Sequence, residues 1–287
     1  MVIKKPILSI TTPVYNGVDF IARCYNNLLL QTFKDWEWVI VDDGSTDGTA
    51  EAVKMISDDR IRLFSYKPNK GRGYARTKAI TQSRGEWVVI WDVDDLHFPD
   101  RLEEINKARL EGYDYFCSYA VVVDNDLNIK GVRGFSNAAN GLPGGFVHPT
   151  MACRSEIARK IGYKSNIRTG EDAKMLWILS MKYRDLWFND ALTIYQEDRE
   201  VNLHKAIDCN LGHLSQLKEM FRDGTIDSFK NQILLYMKYL CKLLILNFMR
   251  FYPSLYLRLV PLRDYGETRS GWTLSEERIN FVKKLKY

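Results

Sequence analysis

An apolar run of strand length that ends in three carboxylates constrains this chain more than any other feature. Residues 86–91 read Glu-Trp-Val-Val-Ile-Trp, and Asp92, Asp94 and Asp95 follow at once. The run lacks the polar alternation of a half-exposed strand, so it predicts a buried one. Open α/β sheets bind ligands at the carboxyl ends of their strands, and crowded acids repel one another unless a cation lies between them. A divalent metal ion that holds a phosphate would satisfy both conditions; a turn that caps the helix opened by Pro99 is the alternative.

Strands and helices alternate on both sides of this run. The hydrophobic periodicity predicts strands at residues 7–13, 36–41, 61–66, 87–91, 113–124 and 186–195, and helices at 18–30, 50–56 and 71–83. Such alternation is typical of a parallel sheet with right-handed crossovers, wound like a nucleotide-binding domain. The carboxyl ends of the first, second and fourth strands then share one edge. The side chains that follow these strands are predicted to meet there, namely Tyr15, Asp42, Asp43, Asp92, Asp94 and Asp95.

Four short motifs occupy or adjoin these strand ends. They are Thr-Pro-Val-Tyr-Asn-Gly at 12–17, Val-Asp-Asp-Gly-Ser-Thr-Asp at 41–47, Asn-Lys-Gly at 69–71 with Ala-Arg at 75–76, and Asp-Val-Asp-Asp at 92–95. In this order and spacing they resemble the motifs of family 2 glycosyltransferases, inverting enzymes of GT-A fold, over roughly residues 6 to 200. The resemblance implies a GT-A catalytic domain at residues 1–203, an α/β domain whose mainly parallel central sheet is flanked by helices. A helical basic extension is predicted at residues 204–287.

The resemblance also implies roles for individual residues near the donor. Pro13 and Tyr15 belong to the first donor-binding motif. The acid after the second strand, Asp42 or its neighbour Asp43, holds the base and ribose of a nucleotide-sugar. The donor is therefore expected to be a nucleotide-diphosphate-sugar, with a UDP-sugar as the first choice.

The Asp-x-Asp element is formed by Asp92 and Asp94. In the family it contacts the ribose and a Mn²⁺ or Mg²⁺ ion that bridges the diphosphate, and Asp95 is implied to support it. Such an ion neutralises the charge that the leaving nucleoside diphosphate develops. Arg76 is either a second positive contact or a solvated charge on its helix.

Two departures from the family pattern concern this part of the site. The family usually has Asn directly after this Arg and Gly two positions later, where the chain has Thr77 and Ala79. Many relatives also carry Tyr-x-x-His where residues 195–198 read Tyr-Gln-Glu-Asp, so a His that can help bind the diphosphate or metal is missing. Asp198 and His204 are the candidates to replace it.

Thr-Gly-Glu-Asp at residues 169–172 opens a predicted helix that runs to Tyr183. On the residues alone, Glu171 and Asp172 suit the first turn of a helix, where carboxylates complement the helix dipole. The family, however, carries a Glu-Asp pair at this point, and its Asp supplies the general base. Inverting transfer needs one carboxylate to take the proton of the acceptor hydroxyl as its oxygen attacks the anomeric carbon. The resemblance thus implies that Asp172 is the base, with Glu171 as the second candidate.

Composition and charge argue against several other classes of protein. An apolar content of 46% over 287 residues excludes disorder of the whole chain, and five scattered cysteines suggest neither a disulfide framework nor a zinc site. A reducing cytoplasm fits these cysteines, and the first residues lack the long apolar core of an export signal. Residues 200–287 hold 14 basic and 9 acidic residues, which accounts for the net charge of +5. A nucleic-acid partner is not expected, because such proteins spread basic residues over the reading surface.

The C-terminal part is predicted to be helical at residues 211–221, 229–251 and 275–285. Between Ile233 and Arg263 it contains no acid, many apolar residues and five basic residues, which are Lys238, Lys242, Arg250, Arg258 and Arg263. No uncharged run in this stretch is longer than the seven residues of 243–249, which is far shorter than the ~20 residues that span a bilayer. Two alternatives remain open: an interfacial helix on an anionic membrane, or a helix packed on the body or on a second subunit.

The expected function is transfer of a sugar to an acceptor hydroxyl with inversion. The acceptor would be a glycan or a lipid-linked glycan, and the setting would be bacterial surface polysaccharide synthesis, such as O-antigen or capsule, at the inner face of the cell membrane. A catalytically degenerate nucleotide-sugar-binding subunit is the alternative. The motif Asp-x-Asp-Asp-Leu also resembles that of haloacid dehalogenase-type phosphatases, but there it lies on the first strand and has Thr or Val where Leu96 stands.

Overall fold

The computed structural model describes residues 5–134, 138–139, 142–167, 169–196, 203–259 and 274–285. Its strands are β1 (Leu8–Val14), β2 (Trp36–Asp42), β3 (Ile61–Ser65), β4 (Trp87–Ile90), β5 (Leu96–His97), β6 (Tyr115–Val123), β7 (Ile129–Arg133), β8 (Ala152–Arg154) and β9 (Asp185–Gln196). Its helices are α1 (Val18–Leu29), α2 (Thr49–Lys54), α3 (Arg72–Gln82), α4 (Arg101–Leu110), α5 (Ser155–Ile161), α6 (Ala173–Lys182), α7 (Leu203–Arg222), α8 (Phe229–Phe248), α9 (Pro253–Leu259) and α10 (Glu276–Lys284), with a 3₁₀ turn at His148–Thr150. Asp198 and Arg263 lie outside the described residues.

The strands form one sheet in the order β3-β2-β1-β4-β8-β6-β9-β5, with β7 paired to β6. β1 pairs in parallel with β2 on one side and with β4 on the other, and β2 pairs in parallel with β3. The other half mixes directions, since β8 runs antiparallel to both β4 and β6 while β9 runs parallel to β6. The chain order therefore reverses between β1 and β4, which is where open α/β sheets bind their ligands.

The burial of both faces of β4 explains why its sequence does not alternate between apolar and polar residues. Trp87 and Val89 face a core with α1 and α4, whereas Val88 and Ile90 face a second core with α5 and α6. All four side chains are buried, with 0% to 2% exposed. A strand covered on both faces needs apolar residues throughout, so the predicted buried strand is present.

The structure differs from the sequence-based boundaries in three places. β5, β8 and α5 were not predicted, because elements of two, three and seven residues are too short to show a clear period. α7 begins at Leu203, eight residues before the predicted start at 211. The predicted helix at 229–251 is shorter as well: α8 ends at Phe248, and a separate helix, α9, starts at Pro253, which cannot continue a preceding helix.

The C-terminal helices pack on the body in two different ways. α7 packs on α6 through Ala173, Trp177 and Leu217. α10 packs Phe281 against Phe98, with their ring centroids 5.2 Å apart. Among the helices of the described ranges, none is both long and apolar enough to cross a membrane.

Candidate active site

A cleft of about 1130 Å³ opens at the carboxyl ends of β1 and β4. The residues of its wall come from the loops after β1, β2 and β4, from the start of α3, and from the segment around residues 165–169. α7 closes another side with His204, Lys205 and Asp208. Five residues predicted for the donor site line this cleft, namely Pro13, Tyr15, Asp43, Asp92 and Asp94.

The two acids after β2 make different contacts. Both are buried, with 3% of each exposed. Asp42 accepts a hydrogen bond from the Ser45 amide at 2.9 Å and so shapes its own turn. Asp43 accepts hydrogen bonds from the Lys70 amide at 2.7 Å and the Gly71 amide at 2.9 Å. Asp43, and not Asp42, therefore lies at the cleft and holds the loop before α3 against it.

The loops after β1 and β2 are tied together by short polar side chains. Asn16 donates its amide to the Ser45 hydroxyl at 2.9 Å and accepts from the Thr46 amide at 2.9 Å. Asp47 accepts the Val18 amide at 3.0 Å, at the start of α1. The polar residues of these two motifs thus serve largely to hold the cleft wall in place, and Tyr15 stands out from that wall with 53% of its surface exposed.

Arg76 joins the Asp-x-Asp element to the Glu-Asp pair. Its guanidinium donates to both carboxylate oxygens of Asp92 at 2.9 and 3.0 Å, and to Glu171 Oε1 at 2.6 Å. Arg76 is 4% exposed and Glu171 is 2% exposed. Arg76 is therefore a buried ion-pair partner and not a solvated charge, and its side chain contacts Glu171, which lies 95 residues further along the chain.

The charge of Asp92 is fixed by this arrangement. Burial by itself would raise its pKa, but the positive charges of Arg76 and Arg72 outweigh burial and lower the pKa of Asp92 to about 2. Asp92 is therefore ionised at any physiological pH. It remains partly exposed to the cleft, with 22% of its side chain accessible.

Asp95 lies beneath the cleft and is 2% exposed. Its Oδ1 accepts the Gln196 amide at 3.3 Å. Burial, followed by the negative charges of Asp94 and Asp92, raises its pKa well above the usual range. Nearby, the buried Arg101 donates to the carbonyl of Ile90 at 3.0 Å and so fixes the end of β4. This placement suits a supporting residue more than a direct ligand.

Asp172 lies on the other side of Arg76, directly before α6, and is half-buried. The segment that carries it is held from both ends by Gln216 of α7. Gln216 donates to the Gly170 carbonyl at 2.5 Å and accepts from the Lys174 amide at 2.8 Å. Gln216 is fully buried, with 0% exposed. Glu171 and Asp172 lie outside the residues that line the cleft, although Asp172 is near enough to act electrostatically on Arg76.

Sequence reasoning missed the part that α7 plays in this site. A Cβ atom on Gly212 would lie 2.5 Å from the Thr169 carbonyl oxygen, so only glycine permits α7 to approach this closely. Gly170 has φ +76°, and a Cβ there would meet Cys209 and His213 at 3.1 Å. A glycine inside a helix is costly and signals a close approach, so Gly212 was the available clue.

His148 and His204 have contrasting positions. His148 is 5% exposed, and its Nε2 lies 2.7 Å from the Tyr163 hydroxyl. Burial, and then the charge of Arg76, lower its pKa to about 3, so it is a neutral structural residue. His204 lines the cleft.

The donor set of the cleft fits a divalent ion of one particular kind. Within the ranges described, no group of three or more His, Cys, Asp or Glu side chains is placed to hold a metal ion. Asp92 and Asp94 nevertheless offer carboxylate oxygens at the cleft wall. Mg²⁺ is commonly bound by one or two carboxylates together with substrate phosphates. The residues thus fit an ion that arrives with a diphosphate.

Comparison with known families identifies the chain. The model described as Glycosyl transferase family 2 matches residues 9–170, which is more than half of the chain. The protein belongs to glycosyltransferase family 2. The family predicted from the four motifs is therefore confirmed.

Relatives of this glycosyltransferase include proteins of polysaccharide biosynthesis. TuaG of Bacillus subtilis (strain 168), whose name assigns it to teichuronic acid biosynthesis, is 38% identical over 203 residues, which cover 67% of this chain and 79% of TuaG. Glycosyltransferases of three Rickettsia species match over only 28% to 30% of their own length. Those relatives contain a large part without a counterpart in the matched segment.

Solved structures confirm the GT-A fold. S. aureus TarS 1-349, solved in complex with UDP, superposes with a TM-score of 0.64 at 20% identity and covers 83% of this chain and 71% of that one. The mannosyltransferase PcManGT from Pyrobaculum calidifontis, in complex with GDP-Man and Mn²⁺, gives a TM-score of 0.57 at 20% identity, covering 77% of this chain and 65% of that one. At this identity the likeness concerns the fold alone.

The motif positions at which this glycosyltransferase departs from its family have structural partners of their own. Thr77 Oγ1 accepts the Tyr163 amide at 3.0 Å and lies 3.3 Å from the Tyr163 carbonyl. Ala79 is fully buried against Val39 and Val41 of β2. Thr77 thus anchors Tyr163, whose ring lies 5.7 Å from the Arg76 guanidinium.

Proposed function

We propose that this glycosyltransferase moves a sugar from a nucleotide-diphosphate-sugar to an acceptor hydroxyl, with inversion at the anomeric carbon. The observation that carries the proposal is the meeting of three strand ends at one cleft. Asp43, Asp92 and Asp94 line it together, and Arg76 connects it to the Glu-Asp pair. A cleft with acids on one side and a second carboxylate pair behind an arginine provides for both halves of the reaction.

The nucleoside end of the donor would lie along the loops after β1 and β2. The exposed ring of Tyr15 is available to pack against a base, and Asp43 is positioned at the same wall. UDP is the first choice of nucleotide, since TarS is the neighbour with the higher TM-score and was solved with UDP. PcManGT was solved with GDP-Man, which keeps guanine as the next choice of base.

The diphosphate would lie at Asp92 and Asp94, which would hold it through Mn²⁺ or Mg²⁺. An ion bound there supplies a Lewis acid that neutralises charge on the leaving group. Lys70 and Arg72, in the same wall, add positive charge from the protein itself. His204 and Asp198 stay the candidates for the role of the missing family histidine, and the position of His204 in the cleft wall supports His204.

Asp172 would act as the general base. Glu171 is held by Arg76 at 2.6 Å and is almost fully buried, so its carboxylate is already engaged. Asp172 would take the proton of the acceptor hydroxyl while the bond from that oxygen to the anomeric carbon forms. The bond from the anomeric carbon to the diphosphate breaks, and its electron pair leaves with the nucleoside diphosphate.

The biological setting proposed is the assembly of a bacterial surface polysaccharide at the cytoplasmic face of the cell membrane. The assignment of TuaG to teichuronic acid biosynthesis by its name supports this setting. The acceptor would be a glycan or a lipid-linked glycan. The catalytic unit at 1–203 would work together with α7, since α7 lines the cleft and holds the segment at 169–172 that carries the proposed general base.

A two-step experiment tests the proposal. Nucleotide-sugars are first screened for thermal stabilisation of the protein in Mn²⁺, because a ligand that binds only the folded state raises the melting temperature. The stabilising donor is then incubated with the enzyme, and release of nucleoside diphosphate is measured. Binding followed by release supports a working transferase. Binding without any release would indicate the degenerate binding subunit instead. For variants of the cleft acids, Asp124→Asn is the control, because Asp124 lies in a hairpin turn and not in the cleft wall.

A further inference from the structure

α8 buries one side and leaves a continuous apolar face exposed on the other. Its buried side includes Leu235 and Leu246. The exposed residues are spaced by one, three, four or seven positions, and these spacings place them on one face of the helix. They are Ile233, Leu234, Met237, Leu244, Ile245 and Phe248, each between 47% and 62% exposed, and they are called here the outer face of α8.

The apolar surface continues beyond the end of α8. Phe251 is 79% exposed, Tyr252 is 56% exposed, and Leu255 of α9 is 39% exposed. Phe248, Tyr252 and Leu255, with Ser254, line a shallow depression of about 360 Å³. Contiguous exposed apolar surface of this kind marks an interaction site, because single exposed residues do not line up along a helix by chance.

The charge around this surface selects its partner. Residues 229–263 contain no Asp or Glu, whereas Lys230, Lys238, Lys242 and Arg250 are exposed along the same helix and just after it. A second copy of the chain would bring an equally basic surface against it, and like charges oppose such pairing. An anionic lipid surface complements both the apolar stripe and the lysines.

The far end of this surface lies close to the active-site cleft. α7 carries His204, Lys205 and Asp208 in the cleft wall, and on another side its Ile207 packs against Leu246 and Met249. The C-terminal end of the outer face is thus separated from the cleft by little more than one helix, about 10 Å across.

We infer that the outer face of α8, with the depression beyond it, binds the surface of an anionic membrane and holds the cleft beside the lipid. An acceptor anchored in that membrane would then reach the cleft across α7. The membrane contact stands on the exposed surface alone, whereas its use for catalysis rests on the function proposed above.

Vesicle co-sedimentation tests the contact with the full chain. Vesicles of phosphatidylglycerol and phosphatidylcholine are compared with vesicles of phosphatidylcholine alone, at low and high salt. The protein is expected to bind the anionic vesicles, to bind neutral ones weakly, and to lose binding in high salt, since surface attraction is screened over about a Debye length. Equal binding to both vesicle types, or none at low salt, would overturn the inference.

Two sets of variants locate the contact. Replacing Leu244, Ile245 and Phe248 together by Ser should weaken binding to the anionic vesicles by roughly tenfold or more. The control replaces Met55 and Leu110 by Ser, because these residues are at least as exposed, at 85% and 67%, but lie at the end of α2 and on α4. Lys238→Gln with Lys242→Gln should reduce the salt dependence. Equal effects of the outer-face and control variants would contradict the assignment.

Two further measurements separate the possible failures. A concentration-dependent dimer that the triple Ser variant abolishes would show that a second copy, and not lipid, covers the face. Binding of UDP and GDP in Mn²⁺ should be the same in the triple variant as in the unchanged protein. If nucleotide binding is absent while vesicle binding follows the pattern above, the proposed function fails and the membrane contact stands. If nucleotide binding is present while vesicle binding does not follow that pattern, the proposed function stands and the membrane contact fails.

Discussion

The donor side of the cleft and the base side, meaning the neighbouring segment that carries the proposed general base, are built in different ways. The donor side consists of loops that directly follow β1, β2 and β4. Asn16 and Ser45 connect the first two of these loops, and Asp43 connects the loop after β2 to Gly71 in the loop before α3. The base side is a segment at 169–172 whose position depends on Arg76 from α3 and Gln216 from α7. One side is organised by strand ends and the other by helices that come from distant parts of the chain.

The two sides should therefore respond differently to mutation. Strand ends in a sheet buried on both faces are positioned by the whole core, so removing one loop contact leaves the others in place. The segment at 169–172 is held in place by a few buried polar contacts, so loss of one contact should displace the segment. Arg76 is the exception that belongs to both sides.

The largest expected effect is on stability, at this shared residue. Arg76→Met should lower the free energy of unfolding by about 3–5 kcal/mol, because it removes the close and buried partner of the Glu171 carboxylate. Urea denaturation measures the change. Arg72→Met is the control, since Arg72 lies 3.9 Å from the same carboxylate but is 47% exposed, and it should cost far less. Equal losses in the two variants would show that Arg76 is not the connection between the sides.

Asp172→Asn tests the base side alone. We expect turnover to fall by a factor of ~10² or more while donor affinity is kept, because the side chain no longer takes a proton and the donor side is untouched. Steady-state kinetics with the donor found by screening provide the measurement. Unchanged turnover would eliminate Asp172 as the base, and a comparable loss in Glu171→Gln alone, with the fold intact, would move that role one residue back.

A pH dependence should mark the base side as well, through His148. Its pKa in the folded protein is about 3, whereas the unfolded chain has the ordinary value of 6.5. Below pH 6.5 the unfolded state therefore binds the extra proton, and stability falls as the pH drops from 6.5 toward 3. Between pH 6.5 and 5 this amounts to about 2 kcal/mol.

The variant His148→Gln should lose that part of the pH dependence. The difference in unfolding free energy between pH 7 and pH 5 should be smaller in the variant than in the unchanged protein. His97 and His213, whose pKa values burial also lowers, keep their own contributions in both proteins. Identical pH profiles would show that His148 is not held neutral by its surroundings.

Gln216→Leu gives the smallest expected effect, but it is the most specific test of the difference between the donor side and the base side. The change keeps the size of the side chain and removes both hydrogen bonds to the base segment, so turnover should fall about tenfold while the KM for donor stays within about twofold. Leu217→Ala, at a neighbouring and equally buried position, is the control for lost stability of α7. A matching fall in both variants would reduce the role of Gln216 to packing.

The same contrast explains what the sequence could predict. The parallel strands, the Asp-x-Asp element after β4 and the acids after β2 follow from local patterns, and the fold and family deduced from them are confirmed. The choice between Asp42 and Asp43 at the cleft depended on which carboxylate met the amides of Lys70 and Gly71. Those contacts join residues 27 and 28 positions apart, and no local pattern reveals them.

The base side was predictable only as a motif. Glu171 meets Arg76 across 95 residues, and Gln216 meets Gly170 across 46, so their partnership depends on how helices pack and not on spacing. Because the helix was predicted to start at residue 211, the sequence did not indicate that α7 starts at Leu203 and lines the cleft. Gly212 inside this helix was the one local sign of close packing.

The central claim is that Asp92 and Asp94 form a metal-dependent donor site, and calorimetric titration with the nucleoside diphosphate of the screened donor tests it directly. In Mn²⁺ the unchanged protein should bind the nucleotide, and a chelator should remove most of that binding. Asp94→Ala should bind at least ~10-fold more weakly even in saturating Mn²⁺, whereas Asp124→Asn should bind as the unchanged protein does. Undiminished affinity in Asp94→Ala would contradict the placement of the donor at this end of β4.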